Sequence, residues 1–231
     1  LLQSSAASDV YKRQVYAKSF SWAGFFLPRE TLKKCSVLYD FCRVADNIAD
    51  DKDEIEVKEK KFAEFENDFN QKKFDNLIIK NMWGIMEEFN ISIKIVQDLL
   101  AGIKSDIKEK VEINSKKELL IYSYRVAGTV GLMMAKILNV TKKNSLKSAI
   151  DLGIAMQLTN ISRDVLEDSK NNRFYIEENF EKISSTVNLA NRFYEDSFYA
   201  IKSIPISFRF SILVARSCLL YTSDAADDWS S

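Results

Sequence analysis

The segment that decides the fold is residues 38–51, which read LYDFCRVADNIADD. On a helical wheel that advances about 100° per residue, the polar side chains in and just before this segment fall within about 40° of Arg43. The remaining surface is apolar, with Phe41, Ala45 and Ile48 as examples. A polar stripe on an otherwise apolar helix is the reverse of a surface helix, so the stripe is expected to line an internal site. Its members are Ser36, Tyr39, Arg43, Asp46, Asn47 and Asp50.

A second stretch, residues 152–168, repeats this design with the sequence LGIAMQLTNISRDVLED. Its polar stripe consists of Gly153, Gln157, Asn160, Asp164 and Asp168. A single acid pair four residues apart is usually solvated and mildly unfavourable, by about 0.2–0.5 kcal/mol. Two such pairs within apolar helices differ, because buried like charges are costly unless cations neutralise them. Hard divalent cations prefer carboxylate and amide oxygens, so the two stripes predict a cavity where metal ions hold diphosphate groups.

The composition favours long helices in a single domain. Only 6 glycines and 2 prolines occur among 231 residues, whereas 46% of the residues are hydrophobic and 29% are charged. So few chain breakers leave little room for the turns of a β-sheet protein, and a chain of this length can bury one sizeable core. The sequence therefore predicts an all-α fold.

Charge and residue usage exclude several classes of function. The formal net charge is zero, which removes the electrostatic argument for binding nucleic acid. The absence of histidine excludes histidine-based catalytic triads, histidine-ligated zinc and histidine-ligated haem. The cysteines Cys35, Cys42 and Cys218 have no metal-ligand spacing and are typical of buried residues in a reducing compartment. Chemistry at the site must then come from carboxylates, tyrosine, lysine or diphosphate oxygens.

Helical patterns cover most of the chain. Ser115 followed by Glu118 is a capping-box signature, and Gly128 and Gly131 are expected to interrupt or kink the apolar run that follows. No segment reaches the roughly 18 uninterrupted apolar residues of a membrane-spanning helix, so a cytoplasmic protein with at most peripheral membrane contact is expected. Helices are predicted over residues 31–50, 51–71, 76–88, 92–109, 115–138, 145–168, 185–203 and 206–218.

The two ends of the chain differ from the rest in composition. Residues 1–14 and 219–231 change abruptly to serine, alanine and aspartate, and they resemble the translated adaptor sequence left on assembled sequencing reads. We therefore expect non-native flanks around one domain at residues 15–218. This domain is expected to be incomplete at its C-terminal end.

A series of motifs in fixed order resembles the squalene/phytoene synthase family, over residues 16–217. The long segments quoted above are similar to its first and second acidic motifs. The other matching motifs are KSFS at 18–21, LPR at 27–29, YSYRVAGTVG at 122–131 and NRFY at 172–175.

The resemblance implies the isoprenoid synthase fold, in which antiparallel helices surround a central cavity. Across the cavity mouth, two acidic motifs hold Mg²⁺, or Mn²⁺ in its place, together with two prenyl diphosphates. Catalytic roles are implied for Tyr122, which matches an aromatic residue near the reacting carbons, and for the four aspartates of the acidic motifs. The metal-binding positions match Asp46, Asp50, Asn160, Asp164 and Asp168. The substrate-binding positions match Lys18, Ser19, Arg43, Val126, Gln157 and Arg163.

The reaction implied by the resemblance is a head-to-head condensation of two prenyl diphosphates. Family members make C40 phytoene from geranylgeranyl diphosphate, or C30 products from farnesyl diphosphate. Gly24 and Ser36 are small where C30 members tend to carry bulky aromatic residues, which favours phytoene, carotenoid biosynthesis and no need for NADPH. A C30 squalene or dehydrosqualene synthase, a terpene cyclase and a non-catalytic scaffold stay open as alternatives, and the oligomeric state is undetermined.

Overall fold

The computed structural model describes residues 28–201, and nearly all of their regular structure is helical, which confirms the predicted all-α fold. The first helices are α1 (Arg29–Asp50), α2 (Ile55–Asn70), α3 (Leu77–Glu88) and α4 (Ile93–Lys104). They are followed by strand β1 (Val111–Glu112), α5 (Lys116–Ser123), a π-helix (Tyr124–Gly128) and α6 (Thr129–Ile137). The chain then forms α7 (Lys143–Lys170), strand β2 (Arg173–Phe174) and α8 (Phe180–Ile201).

Aromatic contacts anchor α1 in the first part of the core. Phe41 of α1 is fully buried, and its ring centroid lies 5.3 Å from that of Phe65 and 5.4 Å from that of Phe69, both on α2. The Phe69 ring also stacks at 5.3 Å on Trp83 of α3. Such pairs contribute roughly 0.5–1.5 kcal/mol each beyond the area they bury. The apolar face of α1 is thereby fixed, and its polar stripe points away from this cluster.

Helix α7 is the central element of the second part of the core. It packs against α5, the π-helix, α6 and α8. Ala155 and Leu158 of α7 are fully buried, and the Thr159 hydroxyl lies 3.2 Å from the Tyr194 hydroxyl of α8. Because helices cover most of α7, only one strip of its surface is left for polar groups.

Two glycines allow α7 to approach the segment before it very closely. A Cβ atom on Gly153 would lie 2.3 Å from the backbone oxygen of Ala127, and one on Gly131 would lie 2.2 Å from that of Ala149. Both distances are far inside van der Waals contact, so a side chain at either position would force the helices apart. The predicted interruption of this segment is the π-helix, which ends at Gly128, whereas Gly131 lies within regular α6.

The ends of several helices follow from local hydrogen bonds. The predicted cap at Ser115 is confirmed, since its hydroxyl accepts from the backbone nitrogen of Glu118 at 3.2 Å. Helix α4 ends earlier than predicted because Ser105 forms a turn, in which its hydroxyl donates to the Gly102 oxygen at 2.6 Å. Helix α8 starts earlier than predicted because Asn179 accepts from the backbone nitrogen of Lys182 at 2.8 Å. The helix predicted over 206–218 lies outside the described residues.

The strands β1 and β2 form a short parallel pair that the sequence did not predict. Val111 pairs with Arg173, and Glu112 pairs with Phe174. Two-residue strands are too short to give an alternating pattern, so no sequence signal marked them. Their pairing brings the turn after α4 beside the residues that follow α7. Within residues 28–201, no helix is both long and apolar enough to cross a membrane.

Candidate active site

The two acidic stripes open into one cavity of about 180 Å³. Asp46 and Asp50 reach it from α1, while Asn160, Asp164 and Asp168 reach it from α7. The structure thus brings these five side chains around one space, although their roles as metal ligands stay predictions. The rest of the lining consists of Ala49, Ile103, Asp106, Tyr122, Gln157, Ile161, Arg173 and Tyr175.

The α1 side of the cavity carries two aspartates, Asp50 and Asp46, that have different surroundings. One guanidinium nitrogen of Arg173 donates to Asp50 Oδ1 at 2.8 Å. Asp46 is open to the cavity mouth, yet the protein around it removes enough water to raise the pKa of its carboxyl to about 6. Repulsion from Asp50 and Asp106 adds to this rise in pKa, and the Arg173 cation opposes it.

The α7 side is more enclosed. Asn160 Oδ1 is buried and accepts no hydrogen bond from the protein, so this oxygen has lone pairs available to the cavity. Asp164 is bound by its neighbour Arg163, whose Nε donates to Asp164 Oδ1 at 2.8 Å. Burial, followed by repulsion from Asp164, raises the pKa of Asp168 to about 6, while Arg173 acts in the opposite direction.

Three polar lining residues were not among the predicted site residues. Asp106 lies in the turn after α4, and Arg173 and Tyr175 lie at β2 and just beyond it. The sequence signal for the last two is the NRFY motif, which by itself gives them no role. Asp106 had no signal, because a single acid in a polar turn has no periodicity. Burial alone would lower the pKa of Arg173, but its bond to Asp50 and the nearby anions raise it, so it stays a cation.

Tyr122 and Tyr175 form a stacked pair on the cavity wall. Their ring centroids are 4.9 Å apart with an interplanar angle of 24°, and both side chains are buried. The Tyr122 hydroxyl donates to Asp106 Oδ2 at 2.7 Å, and the Tyr175 hydroxyl donates to Asp106 Oδ1 at 2.9 Å. Burial and the Asp106 carboxylate raise the pKa of the Tyr122 phenol well above its usual value, so this phenol is protonated at rest.

The charges around the cavity do not balance without added cations. Five carboxylates line it, against the single guanidinium of Arg173 in the same lining. Among residues 28–201, no three Asp, Glu, His or Cys side chains lie close enough to hold one metal ion by themselves. Mg²⁺ does not require such a group, because it usually takes one or two carboxylates and completes its shell with phosphate and water oxygens. The all-oxygen donor set and the unpaired Asn160 oxygen also fit such an ion.

Several predicted substrate-binding residues do not line the described cavity. Ser36 and Arg43 lie on α1 with exposed side chains, and the Ser36 hydroxyl donates to the Leu32 oxygen at 3.0 Å. Arg163 is not in the lining but donates to Asp164, which is, whereas Val126 is half-buried on the π-helix and packs in the core around α7. Gln157 does line the cavity. Lys18, Ser19 and Gly24 lie outside the described residues.

Comparison with known proteins places this arrangement in context. The family profile described as Squalene/phytoene synthase matches residues 13–183. A 15-cis-phytoene synthase from Enterobacter agglomerans is 32% identical over 175 residues, which cover 71% of this chain and 59% of that protein. The chloroplastic phytoene synthase 1 from Solanum lycopersicum is 31% identical and is covered to 41% of its length, against 70% of this chain. The chain thus spans about half the length of these relatives.

Two solved structures are also similar. A dehydrosqualene synthase crystallised with a ligand has a TM-score of 0.71 and 25% identity, with 93% of this chain and 82% of that chain covered. A squalene synthase from Alicyclobacillus acidocaldarius has a TM-score of 0.79 at 15% identity, with coverage of 96% and 93%, and at this identity it supports the fold alone.

Proposed function

Because the chain belongs to the squalene/phytoene synthase family, we propose that it is a prenyltransferase that joins two geranylgeranyl diphosphates head to head. The products would be phytoene and released diphosphate, a step of carotenoid biosynthesis. The observation that carries this proposal is the cavity in which Asp46 and Asp50 face Asn160, Asp164 and Asp168. A non-catalytic scaffold of the same family would have no need to keep these acidic side chains together.

Mg²⁺, with Mn²⁺ as a substitute, would be held by oxygens of the two acidic stripes. Asp46 and Asp50 would bind from α1, and Asn160, Asp164 and Asp168 from α7. When bound, the ions would neutralise the diphosphates and assist their departure from the allylic carbon. Asp46 and Asp168 have pKa values of about 6 without metal. A nearby divalent cation would therefore favour their ionised forms most strongly.

The side chains deeper in the site would handle the cation that remains after diphosphate leaves. The stacked pair of Tyr122 and Tyr175 presents aromatic surface, which stabilises cations electrostatically. Ile103 and Ile161 supply the larger apolar side chains of the lining, and apolar walls exclude water that would quench the cation. Arg173 supplies a fixed positive charge toward which a diphosphate can be drawn.

The proposed chain length of the substrate is supported by the named relatives rather than by the cavity. Curated relatives named phytoene synthase favour the C40 reaction, for which no NADPH is expected. The similarity to a dehydrosqualene synthase structure over 93% of this chain supports a C30 reaction from farnesyl diphosphate as the second candidate. We favour the C40 reaction because of these named relatives and because Gly24 is small, whereas Ser36 does not line the described cavity and adds no support. We further propose a cytoplasmic enzyme that touches membranes only peripherally, to release its lipid product.

The test is to express the complete open reading frame and supply geranylgeranyl and farnesyl diphosphate in competition, with Mg²⁺ present. The expected result is a C40 hydrocarbon identified by mass spectrometry, with no product in excess EDTA. Gly24→Phe should lower the ratio of C40 to C30 product, because an added ring shortens the space for the tail. A wild-type enzyme that makes only C30 hydrocarbon would select the second candidate, and turnover in EDTA would exclude the metal-assisted reaction.

A further inference from the structure

Asp106, Tyr122 and Tyr175 form a closed triangle of oxygen atoms. The Tyr122 hydroxyl oxygen lies 2.7 Å from Asp106 Oδ2, and the Tyr175 hydroxyl oxygen lies 2.9 Å from Asp106 Oδ1. The two tyrosine hydroxyl oxygens are 3.1 Å apart. All three side chains line the cavity. They come from the turn after α4, from α5 and from the residue after β2, so the triangle joins three separate parts of the chain.

The number of protons in this triangle decides how many of its edges are hydrogen bonds. Each tyrosine hydroxyl carries one proton, and an ionised aspartate carries none. With Asp106 ionised, both phenolic protons are donated to its carboxylate, and the contact between the two tyrosine oxygens is left without a proton. One additional proton would let Asp106 donate to Tyr122, Tyr122 donate to Tyr175, and Tyr175 donate to Asp106. The geometry therefore has room for one more proton than the ionised group holds.

The surroundings of Asp106 favour that additional proton. Burial raises the pKa of this carboxyl, although the two tyrosine hydrogen bonds and the Arg173 cation act in the opposite direction. Three more carboxylates from neighbouring elements also face this part of the cavity, namely Asp46 and Asp50 from α1 and Asp168 from α7. Each of these anions disfavours a further negative charge on Asp106.

We propose that Asp106 is a positioning residue that holds Tyr122 and receives a proton through it in the last step of the reaction, an inference that rests on the proposed function. In that step a C–H bond next to the carbocation breaks, and its electron pair forms the carbon–carbon double bond of the product. The released proton binds a lone pair of the Tyr122 oxygen, while the original phenolic proton of Tyr122 passes to Asp106. No oxidant or reductant is required, and the extra proton leaves to solvent with the diphosphate.

The decisive variant is Asp106→Asn, because an asparagine amide can accept from one tyrosine and donate to the other but cannot take up a proton. We expect kcat to fall about a hundredfold, which is the lower end of what a proton-transfer group contributes. KM should change by no more than about threefold. Asp106→Ala should be no better. Asp98→Asn is the matched control, since Asp98 lies on α4 and pairs with Lys94 at 2.6 Å outside the cavity.

Two outcomes separate this inference from the proposed function. If wild-type enzyme forms phytoene and Asp106→Asn retains kcat within about threefold, a purely structural role explains Asp106 and the inference is overturned. If wild-type enzyme condenses no prenyl diphosphate, the proposed function fails and the reaction step fails with it. A readout without substrate is the growth of the infrared band of protonated carboxyl groups as the pH is lowered from neutral. Because the pKa of Asp106 is raised, this growth at mildly acidic pH should be smaller in Asp106→Asn and unchanged in Asp98→Asn, and equal growth in wild type and Asp106→Asn would overturn proton uptake by the triangle.

Discussion

The α1 and α7 sides of the cavity have similar motifs, but the protein holds them in different ways. On the α7 side, Asp164 is bound by Arg163, its immediate neighbour in sequence. On the α1 side, Asp50 is bound by Arg173, which is 123 residues away and belongs to β2. The α7 side is therefore organised within one helix, whereas the α1 side depends on a contact made across the fold.

The second carboxylate on each side shows what the two sides share. Asp46 and Asp168 both have a pKa raised to about 6, chiefly by burial and then by the neighbouring carboxylate of their own stripe. In each stripe one aspartate is thus neutralised by an arginine, and the other is left with an unfavourable charge. If the proposed divalent cation binds, this difference within each pair predicts that it stabilises the protein most at Asp46 and Asp168.

The largest effect is expected when either arginine-bound carboxylate is removed. Asp50→Ala and Asp164→Ala should each lower turnover by about a thousandfold, because under the proposed function these side chains hold the cations that stabilise the charge on the departing diphosphate. Activity is measured with saturating Mg²⁺, and circular dichroism checks that each variant is folded. Asp98→Ala is the control outside the cavity. If turnover survives the substitution on one side only, the two sides do not have equivalent roles in the reaction.

A smaller effect is expected from the packing that holds the α7 side in place. Gly153→Ala should lower the free energy of unfolding by about 1–3 kcal/mol, because its Cβ would lie 2.3 Å from the Ala127 oxygen. Gly84→Ala in α3 is the matched control, since nothing lies within 4 Å of the position of its added Cβ. There the loss of glycine flexibility should stabilise the helix by roughly 0.5–1 kcal/mol. Equal urea midpoints for the two variants would contradict the tight crossing.

The smallest effect concerns the unfavourable charge at Asp168 in the absence of metal. Its pKa in the folded protein is raised to about 6 from the ordinary value of 3.8, so its ionisation destabilises the fold. The stability that the protonated form provides is present below about pH 4 and is lost as the pH rises through about 6. Asp168→Asn should therefore stabilise the metal-free protein at pH 7.5, by about 1 kcal/mol after allowance for solvent screening.

The measurement is thermal unfolding in EDTA with Asp168→Asn beside Asp164→Asn. The second variant loses its pairing with Arg163, so it should gain no stability. Added Mg²⁺ should raise the unfolding temperature of wild type more than that of Asp168→Asn. If Asp168→Asn destabilises the metal-free protein, the two carboxylates of the α7 side do not differ in the way their surroundings indicate.

Much of the fold and the two acidic stripes could be predicted because both depend on helical periodicity. The helical wheel placed Asp46 and Asp50 on one face of α1, and they do reach the cavity. It also placed Ser36 on that face, yet Ser36 is exposed and away from the described cavity. A helical wheel gives the angle around the axis but not the position along it. Ser36 and Asp46 are ten residues apart, which is about 15 Å along the helix.

The remaining site residues could not be predicted because they depend on tertiary contacts. Asp106 lies in a turn, and its role as an acceptor follows only from the approach of Tyr122 and Tyr175. The partnership of Arg173 with Asp50 likewise depends on how β2 meets the end of α1. A sequence motif can mark such residues as unusual, but their partners become visible only once the helices are packed.

The pairing of β1 with β2 has a consequence for the biogenesis of the protein. Its partners Val111 and Arg173 are separated by all of α5, the π-helix, α6 and α7, so this contact is strongly non-local. Non-local pairing forms late, because the chain must lose considerable conformational entropy before the contact contributes stability. During vectorial synthesis on the ribosome, Asp106 has left the exit tunnel long before Tyr175 is added. A nascent chain that stops before β2 would leave Asp50 without Arg173 and Asp106 without Tyr175, so the α1 side of the cavity stays incomplete until this strand is made.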